Sequence, residues 1–200
     1  MEQESIYGEY RETLNNAMEY IMNAINATRE DIKETKGLDP IEHCLARIKS
    51  EESMREKCRR KGLPETTESA LEKIHDAIGI RVVCTFVSDV YAIKDLLVHL
   101  PDCEIVKEKD YIRHAKPNGY RSYHLILKYK QKIYAEIQLR TISMDTWAAL
   151  EHQLKYKQNI GGNLKLIEEE LKRCADELAS TDISMQTIRD MIYEERSETA

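Results

Sequence analysis

The run Ile78-Gly-Ile-Arg-Val-Val-Cys-Thr-Phe86 constrains this chain more than any other stretch. Its β-branched residues are nearly continuous, which predicts a buried central strand. Such a strand needs neighbours. Two follow at about 121–129 and 132–140, separated by too little sequence for anything but a hairpin. Cys103 to Lys107 is a weaker strand candidate. In the hairpin's second strand Ile133, Ala135, Ile137 and Leu139 point one way, and Tyr134, Glu136, Gln138 and Arg140 the other. In its first strand Ser122 and His124 share a face opposite Tyr123, Leu125 and Leu127. One face of the sheet is therefore apolar and faces helices, while the other gathers an acid, a base, an amide and an imidazole. A solvated outer face produces the same alternation, so alternation alone leaves both readings level.

Helical periodicity surrounds this core. Ile6, Tyr10, Leu14, Ile21, Ile25 and Ile32 predict one long amphipathic helix, interrupted at Gly37 and Pro40. A basic helix is expected from about Glu51 to Lys61, stopping at Gly62-Leu-Pro64. Another follows with Ser69 and Glu72 at capping-box spacing, and Ser88 caps one running through Val98. A helix over Met144–Lys157 carries Trp147, Leu150 and Leu154 on one stripe, and Gly161-Gly162 breaks the chain. A C-terminal helix then offers Leu164, Ile167, Leu171, Cys174 and Leu178 as a packing seam, within the molecule or between copies. The pattern is α+β: a mixed β-sheet flanked by helices. We divide it as an N-terminal helix (1–38), a central domain (39–160) and a C-terminal helical region (161–200).

Composition narrows the class. With 42% hydrophobic and 33% charged residues the chain has the make-up of a soluble globular protein. No apolar run approaches the ~18 residues of a membrane span, and the start MEQESIYGEY lacks an apolar signal core, so a cytoplasmic protein is expected. The five scattered cysteines include no C-x-x-C pair and predict reduced packing thiols. Net charge is −6, yet Arg47–Lys61 carries +4 and Lys107–Lys132 carries +6. Two basic clusters in an acidic chain suit a compact anionic ligand held between them, or two solvated lysine-rich surfaces.

Four groups of residues carry possible chemistry. Lys49, Ser53 and Lys57 are four apart, so on a helix they stack on one side and donate towards polyphosphate oxygens. Arg47, just before them, has a planar guanidinium suited to stacking on a nucleobase. In Asp76-x-x-Gly79-x-Arg81 the carboxylate stands at the entrance to the buried strand. Such a hard oxygen ligand suits Mg²⁺, and Glu136, mid-strand on the polar face, is the natural second carboxylate; a salt bridge is the alternative for either acid alone. Lys116-Pro-Asn-Gly-Tyr-Arg-Ser-Tyr-His124 combines a tight loop with a cation (Lys116), a paired donor and acceptor (Asn118), a stacking ring (Tyr120) and His124.

In this order the segments Arg47-Ile-Lys49 with Ser53 and Lys57, Asp76-x-x-Gly79-x-Arg81, Lys116-Pro-Asn-Gly-Tyr120, His124, Glu136-Ile-Gln-Leu-Arg140-Thr141 and Trp147-x-x-x-Glu151-His152 resemble the RelA/SpoT synthetase family, specifically its small single-domain alarmone synthetases. The resemblance covers roughly residues 40–157. It implies a nucleotidyltransferase-like synthetase fold and transfer of pyrophosphate from ATP to the ribose 3′-hydroxyl of GDP or GTP. It further implies that Arg47 and Arg81 sandwich adenine, and that Lys49, Ser53 and Lys57 contact the ATP phosphates. Asp76 and Glu136 become the Mg²⁺ ligands, with Glu136 also activating the acceptor hydroxyl. Lys109, Lys116, Asn118, Tyr120, His124, Gln138 and Ala148 become contacts of the acceptor nucleotide. At 200 residues the hydrolase and regulatory domains of long members are not expected. His43-Cys44-Leu45-Ala46 departs from the aromatic-and-threonine pattern of product-activated tetrameric members, and Lys107-Glu-Lys-Asp110 resembles the basic selectivity motif that points to GTP. A homo-oligomer through the terminal helices is the expected assembly. The rival readings are a toxic relative that pyrophosphorylates the 3′ end of tRNA, and a catalytically silent nucleotide-binding or assembly module.

Overall fold

Five strands, β1 (Ile41–Ile48), β2 (Ile78–Cys84), β3 (Cys103–Asp110), β4 (Tyr123–Tyr129) and β5 (Ile133–Thr141), form one sheet in the order β1-β2-β5-β4-β3. The computed structural model describes residues 4–156 and 164–198. β2 and β5 run parallel at the centre and every other neighbouring pair is antiparallel. The apolar sides of β2, β4 and β5 (Ile78, Ile80, Val82, Leu125, Leu127, Ala135, Ile137, Leu139) are buried. They join one core with α1 (Arg11–Lys36) and α3 (Val87–Val98), which lie against that face.

The hairpin of β4 and β5 and the central place of β2 follow the sequence pattern. Burial of β2 is more selective than the apolar run suggests. Gly79 and Arg81 are only half-buried, and unbroken burial begins at Val82. β1 is a strand that periodicity did not predict: as an edge strand it buries fully only Ile41 and leaves Glu42, His43, Leu45 and Arg47 exposed. Its pairing with β2 places Arg47 on a strand and Lys49 in the connection to α2 (Glu51–Arg60), outside the expected helical stripe. Ser50 caps α2, accepting the Ser53 N–H.

Other boundaries shift for identifiable reasons. The N-terminal helix starts at Arg11, buries Leu14, Ala17, Ile21 and Ile25, and ends at Gly37 in the left-handed conformation, its N–H bonded to the Lys33 carbonyl. Ser69 is not a cap. Thr66 Oγ1 accepts the Ser69 N–H, and Ser69–Lys73 forms a π-turn closed by the Ile74 N–H on the Ser69 carbonyl. Asp89, not Ser88, satisfies the start of α3 by accepting the Phe86 N–H. β3 continues past Lys107 to Asp110 because its antiparallel pairing with β4 extends to Tyr123.

The helix α4 (Ile142–Tyr156) buries Met144 and Trp147, but Leu150 and Leu154 are exposed, so the expected stripe ends after Trp147. There the indole N–H donates to the Leu171 carbonyl of α5 (Leu164–Glu198). The Gly161-Gly162 break and Lys157 lie outside the described residues. In α5 the buried position is Ala175, not Cys174, which is exposed. Ile167, Leu171 and Leu178 stay half-buried as expected, and the seam departs by one residue at Cys174, because α5 meets the Gly119 turn at very close range. A Cβ on Gly119 would stand 2.6 Å from the Ala175 Cβ and 3.1 Å from the Lys172 Cα. Further ties are Arg121 to Asp176, Thr141 to Asp182, and Arg189 to Ser88 and the buried Asp89.

Gly119 also sits at φ +90°, where a side chain is strained. Gly119→Ala should therefore lower unfolding stability by about 1–3 kcal/mol in urea titrations. Gly62→Ala, with a comparable φ of +67° but open space around it, should cost less.

Candidate active site

Strand pairing alone assembles two rows across the polar face. Arg47, Gly79, Glu136, Ile126 and Lys107 are successive register partners on β1, β2, β5, β4 and β3. Leu45, Arg81, Gln138, His124 and Lys109 make the adjacent row. Between them opens a cleft of about 370 Å³ lined by Arg47, Lys49, Asp76, Arg81, Glu136 and Gln138, among others. Gly79 forms part of its floor, and a Cβ there would meet nothing within 4 Å. The glycine serves the cavity and not a turn.

Asp76 enters from the segment preceding β2, its side chain 14% exposed. Lys49 and Lys57 both donate to Oδ2, while the buried Oδ1 has no partner among the described residues. Burial works to raise the Asp76 pKa, but the hydrogen bonds and charges of the two lysines outweigh it and hold it below the usual carboxylate range. For Lys49 burial is the larger effect, and it lowers the ammonium's pKa against the pull of Asp76. The Lys49 backbone is itself fixed. Its N–H donates to the Ala77 carbonyl, and its carbonyl accepts the hydroxyl of the buried Tyr7 at 2.7 Å. Tyr7, from the turn before α1, was not identifiable from sequence, where it reads as one more apolar residue of the N-terminal segment.

Glu136 lies across the cleft floor, with His124 Nδ1 at 3.9 Å from its Oε1. Burial, then the charges of Arg140, Lys116 and Lys109, push the His124 pKa down to about 4, so the imidazole is neutral at pH 7. With the imidazole uncharged, the 3.9 Å approach to Glu136 is not an ion pair. Beyond it the side chains turn basic and aromatic. Lys116 Nζ sits 4.7 Å from the Tyr111 ring centroid and 4.5 Å from that of Tyr120, and Lys109 Nζ stands 5.6 Å from the Tyr111 centroid. The Tyr120 hydroxyl meets His124 Nε2 at 2.8 Å and accepts from Arg140 Nη2 at 2.7 Å.

The sequence-derived residues therefore distribute unevenly. Arg47, Lys49, Asp76, Arg81, Glu136 and Gln138 share the cleft, Lys57 reaches it through Asp76, and Lys109, Lys116, Tyr120 and His124 form the adjoining cluster. Ser53 is exposed at the start of α2 with its hydroxyl on Ser50, away from the residues that line the cleft. Asn118 is held within its own loop, accepting the Tyr120 N–H and donating to Glu151 at 3.3 Å. Ala148 is half-buried on α4. Sequence reasoning assigned no role to Tyr111, Arg140 or Asp145; the signal for Arg140 was an arginine on the polar side of a strand whose other members point into the cleft.

Two carboxylates in one cleft, one with an orphaned buried oxygen, fit a hard divalent cation that completes its shell with phosphate oxygens and water. Among the described residues no group of three His, Cys, Asp or Glu side chains could hold a metal by itself. No helix among them is long and apolar enough to cross a membrane.

The chain matches the model of the "region found in RelA / SpoT proteins" over residues 46–161. It is 46% identical over 147 residues to GTP pyrophosphokinase YwaC of Bacillus subtilis, covering 70% of each chain. Its fold is similar to small alarmone synthetase 1 of Bacillus subtilis bound to its product pppGpp, with a TM-score of 0.76, 32% identity, and 90% of this chain and 94% of that one covered. The same synthetase bound to AMPCPP gives a TM-score of 0.68 and 29% identity, with the same coverage of each chain.

Gly79→Val tests whether the cleft is the nucleotide site. A β-branched residue suits an extended position with open space above it, so thermal unfolding should stay close to wild type. Affinity for a non-hydrolysable ATP analogue, measured by calorimetry, should fall at least roughly tenfold.

Proposed function

The chain belongs to the RelA/SpoT family, and on that premise we propose that it is a pyrophosphokinase that moves the β,γ-pyrophosphate of ATP onto the ribose 3′-hydroxyl of GDP or GTP, forming (p)ppGpp and AMP. The observation that carries this reading is the convergence of Asp76 and Glu136 on one cleft, flanked by Arg47 and Arg81 on one side and by the Tyr120–His124 cluster on the other. AMPCPP and pppGpp, bound by the related synthetase, match the two halves in chemistry.

The donor half takes ATP. The guanidinium groups of Arg47 and Arg81 offer planar cations to the adenine. Lys49 and Lys57, which share Asp76 here, have triphosphate oxygens as their natural second partners. Asp76 and Glu136 would hold Mg²⁺, which neutralises charge on the phosphates when bound. Ser53 belongs to this half only if α2 presents its hydroxyl to the outer phosphate. The acceptor half takes the guanosine nucleotide: Tyr120 provides a ring for the base, Lys109 and Lys116 charge for its phosphates, and His124 and Gln138 polar contacts. Asn118 acts through the shape of its loop, and Ala148 lends α4 as a wall. Lys107 and Lys109, both on β3, favour the more highly charged GTP.

In the reaction the acceptor's 3′-hydroxyl attacks the β-phosphorus of ATP. Glu136 takes the hydroxyl proton, the bond from β-phosphorus to the α,β-bridging oxygen breaks, and AMP leaves with that oxygen. Lys49 and Lys57 stabilise charge that builds on the transferring group. Residues 39–160 carry this chemistry, and the terminal helices support it from outside. α5 leaves Ile183, Ile188 and Met191 at least half exposed, which supports a second copy as its partner. We place the enzyme in the cytoplasm, where its substrates are.

The decisive assay offers ATP with GMP, GDP, GTP and tRNA in competition and identifies the labelled product. Pyrophosphate should appear on GTP or GDP with AMP released, and Glu136→Gln should lower the rate roughly a thousandfold. Label confined to tRNA would replace the acceptor assigned here, and equal AMP release by both proteins would identify a silent module.

A further inference from the structure

Arg140 closes β5 with its side chain 6% exposed. Nη1 donates to Asp145 Oδ1 at 2.9 Å, and Nη2 donates both to the Tyr120 hydroxyl at 2.7 Å and to Gln138 Oε1 at 3.0 Å. The same Asp145 oxygen stands 3.5 Å from Arg81 Nη1. An arginine offers donors only and keeps its proton in any protein setting. Every group it touches is thereby forced to accept, and the consequences propagate.

Gln138 presents its carbonyl oxygen to Arg140, so its amide NH₂ turns towards the cleft that it lines. Tyr120 accepts from Arg140, which leaves His124 Nε2 as the partner for the phenolic proton among its described contacts. With Nε2 accepting, the neutral imidazole carries its proton on Nδ1, the nitrogen that faces Glu136 Oε1. We propose that Arg140, anchored by Asp145, is a positioning residue that sets the proton directions of Tyr120, His124 and Gln138. The chain Arg140→Tyr120→His124 leaves an N–H on Nδ1, 3.9 Å from the Glu136 carboxylate proposed as the base. The branch Arg140→Gln138 shows a donor to the incoming base, which suits the O6 acceptor of guanine, where adenine carries an amino donor instead. The position of Asp145 between Arg140 and Arg81 gives the two halves one shared anchor. The acceptor role rests on the function proposed above; the proton directions do not.

The test reads the tautomer directly. Long-range ¹H–¹⁵N correlation spectra of histidine-labelled protein at pH 7, with His124 assigned through His124→Gln, should show the Nδ1-protonated form. Asp145→Asn strips the counter-charge from a buried guanidinium and is prone to unfolding, so Tyr120→Phe, which leaves that ion pair intact, carries the comparison. It should release His124 towards the Nε2-protonated form and raise the acceptor KM roughly tenfold, with the KM for ATP within about twofold of wild type. An Nε2-protonated His124 in the wild type, or a tautomer unmoved by Tyr120→Phe, overturns the proposal. The expected tautomers without pyrophosphate transfer to any guanosine nucleotide would uphold the proton network and sink only the functional reading.

Discussion

The parallel pairing of β2 with β5 is the constraint on which the rest of the molecule depends. Parallel strands cannot be joined by a tight turn, so the chain between them must leave the sheet, and it returns as α3, β3 and β4. That excursion builds the cluster of Lys116, Tyr120 and His124 and delivers it beside the cleft lined by Asp76 and Glu136. Register then does the fine placement: Gly79 beside Glu136 and Arg81 beside Gln138. A slip of one residue would turn Glu136 and Gln138 into the core and present Ile137 to the cleft. The buried side chains of Ile80, Val82, Ile137 and Leu139 oppose that slip, so the hydrophobic effect on one face guards the chemistry on the other.

On the polar face, charges are placed where the backbone can support them. Asp76 is surrounded by lysines before any ligand arrives, and Lys49 is pinned by backbone bonds to Ala77 and Tyr7. The carboxylate stays ionised although burial opposes it. His124 is the converse case, kept neutral by burial and by Arg140, Lys116 and Lys109. In adjoining parts of one face the acid is held charged by its lysine neighbours, and the imidazole is held uncharged by burial and then by cationic neighbours.

The C-terminal helix contributes through contact more than through chemistry. α5 lies against the Gly119 turn so closely that only glycine fits opposite Ala175, and it grips the indole of Trp147 and the Arg121 guanidinium on either side. The loop bearing Lys116 and Tyr120 is thereby backed by a long helix. On the other side of the same loop Arg140, reaching from the sheet, donates to the Tyr120 hydroxyl at 2.7 Å.

The amino-acid pattern by itself determined the hairpin, the central strand, the sidedness of β5 and the motifs that assign the family, because each is a local periodicity or a short run of chemistry. It also paired Asp76 with Glu136, through the need of hard carboxylates for a shared partner. It did not show β1, whose single fully buried residue leaves almost no periodic trace, nor the burial of Ala175 in place of Cys174 on α5, which depends on Ala175 meeting Gly119. It was silent on Tyr7, Tyr111 and Asp145, and it put Arg140 on the polar face without its partners; the importance of these residues lies in which atoms they touch. Such contacts join residues far apart in the chain. Only the closed tertiary structure, with one face buried and the other gathering these side chains, decides them.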